Sequence, residues 1–291
     1  MRHWGQFAGS WTFDPLVGSI LLAVGLGYLC AVLAVDQRHP SSPWPIKNTA
    51  CFIAGVALLW VAILGPFGAY DDVFFWAHMT QHLIITMVAA PLLVLGAPVL
   101  LILRVSPANF RRRWLVPVLR STVARWLTNP VLTWLLFVIV LVGTHFSPFY
   151  DYALEHSWIH NFVEHPMYLT AALLFYYPLI GNNPAPRTLP AAGRVISLAL
   201  MMVPEAFTGF FIYASPYLMY PFYATVDRPF GPGPLADQQL GGALMWSGSM
   251  LLDTAWIALA ARDWLRADAR RTRRQDLSIA REATGAAIRF L

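Results

Sequence analysis

Seven long apolar runs, at about 15–35, 47–69, 73–103, 130–147, 158–180, 191–213 and 237–261, constrain this chain more than any other feature. Crossing roughly 30 Å of hydrocarbon takes about 20 predominantly apolar residues. Inside the bilayer a segment must satisfy its own backbone N–H and C=O groups, which an α-helix does. The expected fold is therefore all-α: a polytopic membrane protein, one bundle of about seven transmembrane helices over 1–261, with a basic cytoplasmic tail at 262–291. The hydrophobic share of 57% overrides the two-domain expectation that 291 residues would raise for a soluble chain. The third run is long, and Pro91 and Pro98 are expected to bend or break it.

Charge sets the expected orientation. With the N-terminus outside, the inner segments 36–47, 104–129, 181–194 and the tail hold 18 of the 20 Lys and Arg residues, and only Arg2 and Arg228 lie outside. This asymmetry predicts N-out/C-in in a bacterial cytoplasmic (inner) membrane. The runs Arg111–Arg113 and Arg270, Arg271, Arg273, Arg274 then read as topogenic, lipid-contacting groups, and no nucleic-acid partner is expected. The first run reads as a retained anchor rather than a cleaved signal, since it is about 20 residues long with only Arg2 before it. Trp4, Trp11, Trp44, Trp158 and Trp264 fall near expected interfaces. Cys30 and Cys51 form no C-x-x-C pair and read as small core residues. Lys47, the sole lysine, lies at an inner helix end. A retinal Schiff base needs a mid-membrane lysine, so a rhodopsin-like reading fails.

Six of the eight histidines fall near the outer face: His78, His82, His145, His156, His160 and His165. Ionisable groups at membrane depth are costly and usually functional, and imidazole is the commonest metal ligand. His78 and His82 are four apart and share a helix face, close enough to bind one ion. His156, His160 and Glu164 follow the same step. A helix starting near Ser157 and kinked at Pro166 would re-aim His165 relative to His160. The metal set predicted is His78, His82, His145, His160 and His165. Met79, His156, Glu164, Glu205 and Asp237 are auxiliary candidates, Glu164 as a carboxylate that orients a histidine. Asp237 reads equally as a helix N-cap. Against this stands the plainer reading, in which each histidine is a hydrogen-bonded polar residue. The loop 214–236 reads either as a lid or docking surface or as a tight connector.

With no outer cysteine, imidazole and thioether donors suit copper best, in either oxidation state. Zinc would also accept three histidines and a carboxylate. Haem b, held by His82 with His145 or His165, stays open.

The chain also resembles the CtaG-type membrane proteins associated with assembly of caa-type cytochrome c oxidases. The likeness runs from the second helix through the seventh. It rests on His78-Met79 with Gln81-His82, on 91–98 (PLLVLGAP), and on His145, Pro148, Tyr150-Asp151, His160 and Glu164-His165. It continues in Gly193-Arg194, in Tyr220-Pro221-Phe222-Tyr223, and in Asp237-Gln238-Gln239 with Gly242, Met245 and Trp246. The resemblance implies a non-enzymatic assembly factor that binds copper at the outer face and delivers it to oxidase subunits, with a periplasmic copper chaperone as donor. The alternatives are a haem-binding membrane cytochrome and a metal-free scaffold or chaperone for oxidase subunits.

Overall fold

The computed structural model describes residues 2–181, 183–186 and 189–289. In chain order the helices are α1 (Arg2–Gly9), α2 (Pro15–Arg38), α3 (Ile46–Leu64), and α4 (Phe75–Leu83), which runs through a π turn (Ile84–Ala89) into α5 (Ala90–Leu95). Next come α6 (Pro98–Val105), α7 (Ala108–Phe110), a π turn (Arg111–Leu115), α8 (Val116–Arg120), α9 (Thr122–Leu127), α10 (Pro130–His145) and α11 (Phe149–Glu155). The chain continues as α12 (Ser157–Ile159), a π turn (His160–Glu164), α13 (His165–Tyr176), α14 (Ala191–Ala214), α15 (Phe222–Thr225) and α16 (Pro234–Arg289). No strand occurs among the described residues.

Five stretches are each long and apolar enough to cross a membrane: Pro15–Arg38, Ile46–Leu64, Phe75–Val105, Ala191–Ala214 and Pro234–Arg270. A sixth counts if α10 and α11, bent by 69°, form one span. The expected run at 158–180 is helical from 157 to 176, yet it is not among them. Its first half carries His160, Asn161, Glu164 and His165. Three of these are buried, and together the four polar residues lower the hydropathy of this stretch. Leu22, Leu29 and Leu33 of α2, Val131 and Ile139 of α10, and Leu200, Val203 and Phe207 of α14 are exposed, as lipid-facing surfaces are.

Local chemistry explains several boundaries. Asp14 accepts hydrogen bonds from the N–H groups of Leu16 (2.9 Å) and Val17 (3.0 Å), with Pro15 at the first helical position. Asn129 and Pro130 repeat the device at α10, where Asn129 accepts from Val131 N at 3.0 Å. In the third run the two prolines act differently. The break comes at Gly96-Ala97, just before Pro98, where Ala97 adopts a left-handed conformation (φ 52°). Pro91 stays inside a continuous helical path. Proline offers no N–H to the carbonyl four residues back, that of Met87, and the Trp256 indole donates to it instead at 2.8 Å.

Trp44 packs within the protein: its indole donates to the Tyr28 hydroxyl at 3.0 Å, which in turn donates to Gly96 O at 2.7 Å. The reading of the cysteines as core residues is overturned. Cys30 is exposed, and Cys51 is only half-buried, because α2 packs against α3 through its Gly18–Gly25 face and Cys30 lies off that face. Of the three α2 glycines, Gly18 and Gly25 meet α3 side chains, whereas Gly27 faces open space.

The most extensive helix contact is between α14 and α16. At its centre Gly209 and Gly242 let the two backbones touch. A Cβ on Gly209 would lie 2.6 Å from Trp246 N, and one on Gly242 2.5 Å from Tyr213 N. Small residues at such crossings permit the dispersion contact on which helix association in lipid depends. At the far end of the bundle from the histidines, Arg38 donates to Val105 O and Arg104 to Ser42 O.

Candidate metal centre

The start of α4 positions the first two histidines, and its own N-cap residue, Phe74, supplies no side-chain cap. The open N–H groups of Phe75 and Trp76 are taken by the Asp237 carboxylate from α16, at 2.9 and 3.1 Å, and Arg228 pairs with that carboxylate at 2.8 Å. Asp237 therefore caps a helix other than its own and does not face the histidines. Asp237→Ala should strip this cap and strand a half-buried guanidinium, lowering unfolding stability by about 3 kcal/mol. Thermal melts in detergent test this, and an unchanged melting temperature would contradict the assigned role.

The third π turn places His160 and His165. Its i→i+5 bonding brings residues five apart toward one face, where a regular α-helix would splay them. Pro166, which cannot donate an N–H, lies two residues past its end. His160 and His165 accordingly both point inward, their rings 4.6 Å apart. The helix begins at Ser157 as expected, and the re-aiming of His165 comes from the π turn that precedes the proline.

Five histidines meet in one buried cluster. Ring centroids lie 4.3 Å apart for His78 and His82, 5.2 Å for His78 and His160, 6.2 Å for His82 and His165, and 6.3 Å for His82 and His145. His156 stands apart, exposed at the surface, with Nδ1 on Tyr152 O at 2.9 Å.

Within the cluster the roles divide. Glu164, fully buried, aims Oε2 at His160 Nδ1 (2.7 Å) and leaves Oε1 without a hydrogen bond. That free oxygen lies 3.4 Å from both His78 Nε2 and His82 Nε2, neither of which makes a hydrogen bond. Two ligands at about 2.0–2.2 Å from one tetrahedral ion are roughly 3.3 Å apart. The spacing therefore suits shared ligation of an ion better than hydrogen bonding. A second group, Asp71, His160 and His165, lies beside it, and in each group the candidate ligand atoms are within 4.8 Å of one another.

His160 bridges the two groups. Its Nε2 faces Asp71 Oδ2 at 3.1 Å and its Nδ1 faces Glu164, so both nitrogens donate to carboxylates and neither holds a lone pair for an ion as the site stands. Burial alone would raise the pKa of Asp71. The hydrogen bond and charge of His160 outweigh it and hold this carboxyl below its ordinary value. Gln81 ties the layers together. Its amide donates to Asp71 Oδ2 (2.9 Å) and Ala62 O (3.0 Å), and its oxygen accepts from His165 Nε2 at 3.0 Å. His165 Nδ1 is then left buried and unpartnered. His145 is oriented by Leu141 O, which accepts from Nδ1 at 2.7 Å, leaving Nε2 free. Such backbone anchoring selects the tautomer a metal ligand needs.

Tyrosines wall the cluster. Tyr150 lies edge-on to His78 at 4.8 Å and Tyr168 edge-on to His82 at 4.2 Å, while Tyr168 also meets Thr144 through its hydroxyl. The loop 214–236 closes over one side: Tyr220 donates to His145 O (3.1 Å) and Tyr223 to Asp71 O (2.7 Å). Met79 and Glu205 line a small cavity below His82.

Sequence reasoning assigned no role to Asp71 and saw Gln81 only as part of a motif. The signals were present, an Asp71-Asp72 pair just before α4 and a glutamine flanked by histidines. Their partners, however, sit 89 and 84 residues away.

A family model described as cytochrome c oxidase caa3 assembly factor matches residues 26–267. An uncharacterized protein of Mycobacterium bovis and one of Mycobacterium tuberculosis are each 33% identical to the chain over 273 residues, covering 91% of this chain and 41% of their own length. An uncharacterized protein of Mycobacterium leprae is 32% identical over 279 residues, covering 93% of this chain and 42% of its own. The chain thus spans about two fifths of the length of the curated relatives it matches. No solved structure matches it.

Proposed function

Since the chain belongs to the cytochrome c oxidase caa3 assembly factor family, we propose that it carries copper as cargo on His78, His82 and Glu164 and hands it to oxidase subunits at the outer face of a bacterial inner membrane. The observation that carries this reading is the triangle of His78 Nε2, His82 Nε2 and Glu164 Oε1, buried, without hydrogen bonds and at ligand spacing. A buried polar atom left unpaired costs about 1–3 kcal/mol. Three such atoms converging on one point are costly unless something fills it.

The donor set of imidazoles, a carboxylate and nearby thioethers favours copper by the Irving–Williams order. His145 Nε2 and His165 Nδ1, buried and without hydrogen-bond partners, are further donors within the same cluster. Haem is less favoured, because the histidine rings already touch one another and the cavity beside them measures about 30 Å³, too little for a porphyrin. The outer placement follows from the arginine distribution. Neither chemistry nor turnover is needed: the ion moves by ligand exchange to a client site, so the protein acts as a metal-handling assembly factor, with a periplasmic copper chaperone as donor.

The test is metal analysis with a visible spectrum on detergent-purified protein. Wild type should hold copper and show no Soret band, and His78→Ala/His82→Ala should lose the metal while keeping its helix content. A copper content unchanged from wild type in the double variant would rule out the triangle, and a Soret band would move the assignment to a cytochrome.

A further inference from the structure

We propose that a second cation station lies beneath the histidine–glutamate triangle, a thioether-lined pocket that takes Cu(I). It rests on the reading that the chain carries copper, and it adds a position along the route and the oxidation state of the cargo. A cavity of about 30 Å³ is lined by Met79, Met87, Met245, His82, His145 and Glu205. The three methionines come from α4, the π turn after it, and α16, and all are buried.

Two polar atoms independent of the triangle are left open there. His145 Nε2 and Glu205 Oε2 are buried and have no hydrogen-bond partner, on residues only 2% and 3% exposed. His145 is held for this by the bond from Nδ1 to Leu141 O. A pocket of this size holds about one water-sized species, so it admits a bare ion and excludes a hydrated divalent one. Neutral thioether and imidazole donors select Cu(I) among the first-row ions, and Glu205 Oε2 adds an oxygen donor at the pocket wall. His82 belongs both to the triangle and to the cavity wall. An ion can therefore pass between the two stations by exchanging ligands around one shared imidazole, with no change of oxidation state.

The test is an anaerobic Cu(I) titration of the detergent-purified full chain against a Cu(I)-selective chelator, with X-ray absorption on the loaded protein. Wild type should bind two Cu(I), one with sulfur neighbours. Met87→Leu/Met245→Leu, which preserves volume, should bind one and lose the sulfur signal. His78→Ala should retain the sulfur-bound ion. A wild type that binds one Cu(I) with no sulfur neighbours would overturn the second station while leaving the triangle standing. A lone water fills the pocket in that case. A wild type that binds no copper at all would overturn the underlying reading as well.

Discussion

Glu164→Gln should weaken copper binding at least a hundredfold, about 2.8 kcal/mol, while the bundle stays folded. The substitution keeps shape and hydrogen-bonding capacity, so what it removes is the charge and the free carboxylate oxygen that faces both His78 Nε2 and His82 Nε2 at 3.4 Å. Glutamine can still accept from His160 through its carbonyl, preserving the 2.7 Å link that aims the π turn. Only one terminal oxygen then remains for two tasks, and the side facing α4 becomes an amide that repels a cation. Glu164→Leu goes further, because it leaves His160 with Asp71 as its sole carboxylate partner in a buried site and should lower stability as well. Competition against a chelator of known affinity reads the first effect and thermal melts the second. Glu155→Gln, at an exposed carboxylate, serves as the control. Equal copper affinity in wild type and Glu164→Gln would remove Glu164 from the site.

Gly242→Leu should abolish the folded bundle, a loss of more than about 4 kcal/mol. A Cβ at this position would come within 2.5 Å of Tyr213 N and 2.9 Å of Gly209 O. Both are backbone atoms of α14 that cannot swing aside. The helices would have to part along the most extensive contact in the protein, and the separation would propagate to Asp237, five residues earlier on α16, whose carboxylate caps α4. The effect should therefore reach the metal site without touching it. Gly27→Ala is the contrast: nothing lies within 4 Å of a Cβ there, and alanine favours a helix over glycine by about 1 kcal/mol. Size-exclusion profiles of the two variants in detergent separate the cases. A monodisperse Gly242→Leu protein with a wild-type melting temperature would refute the packing argument.

Much of the site was legible from composition and spacing. Histidines and acids are expensive in lipid, so their gathering near one end of several apolar runs pointed inward, and the bundle does bury His78, His82, His145, His160 and His165 together. His156 obeys the same spacing as His160 but falls one turn earlier, at the exposed junction between α11 and α12, where water makes histidine cheap. Spacing on one helix cannot register where the bundle ends. Cys30 illustrates the same limit. Residue type assigned it to the core, and the direction in which α2 presses on α3 left it exposed.

The sequence by itself determined the all-helical class, the apolar runs, the gathering of basic residues between them and the pool of candidate ligands, because hydropathy and the cost of burying charge act residue by residue. It also carried the family, through motifs spread over most of the chain. Only the tertiary structure decided how that pool divides into a triangle of His78, His82 and Glu164, a bridge through His160 to Asp71, and a strut at Gln81. It also decided that Asp237 caps α4 from α16, and that Met87 and Met245 join Met79 around one cavity. Those assignments depend on the rotation and register of helices far apart in the chain, and on π turns that shift a face by a fraction of a turn. Such quantities are set by packing between helices, and no periodicity along a single helix contains them.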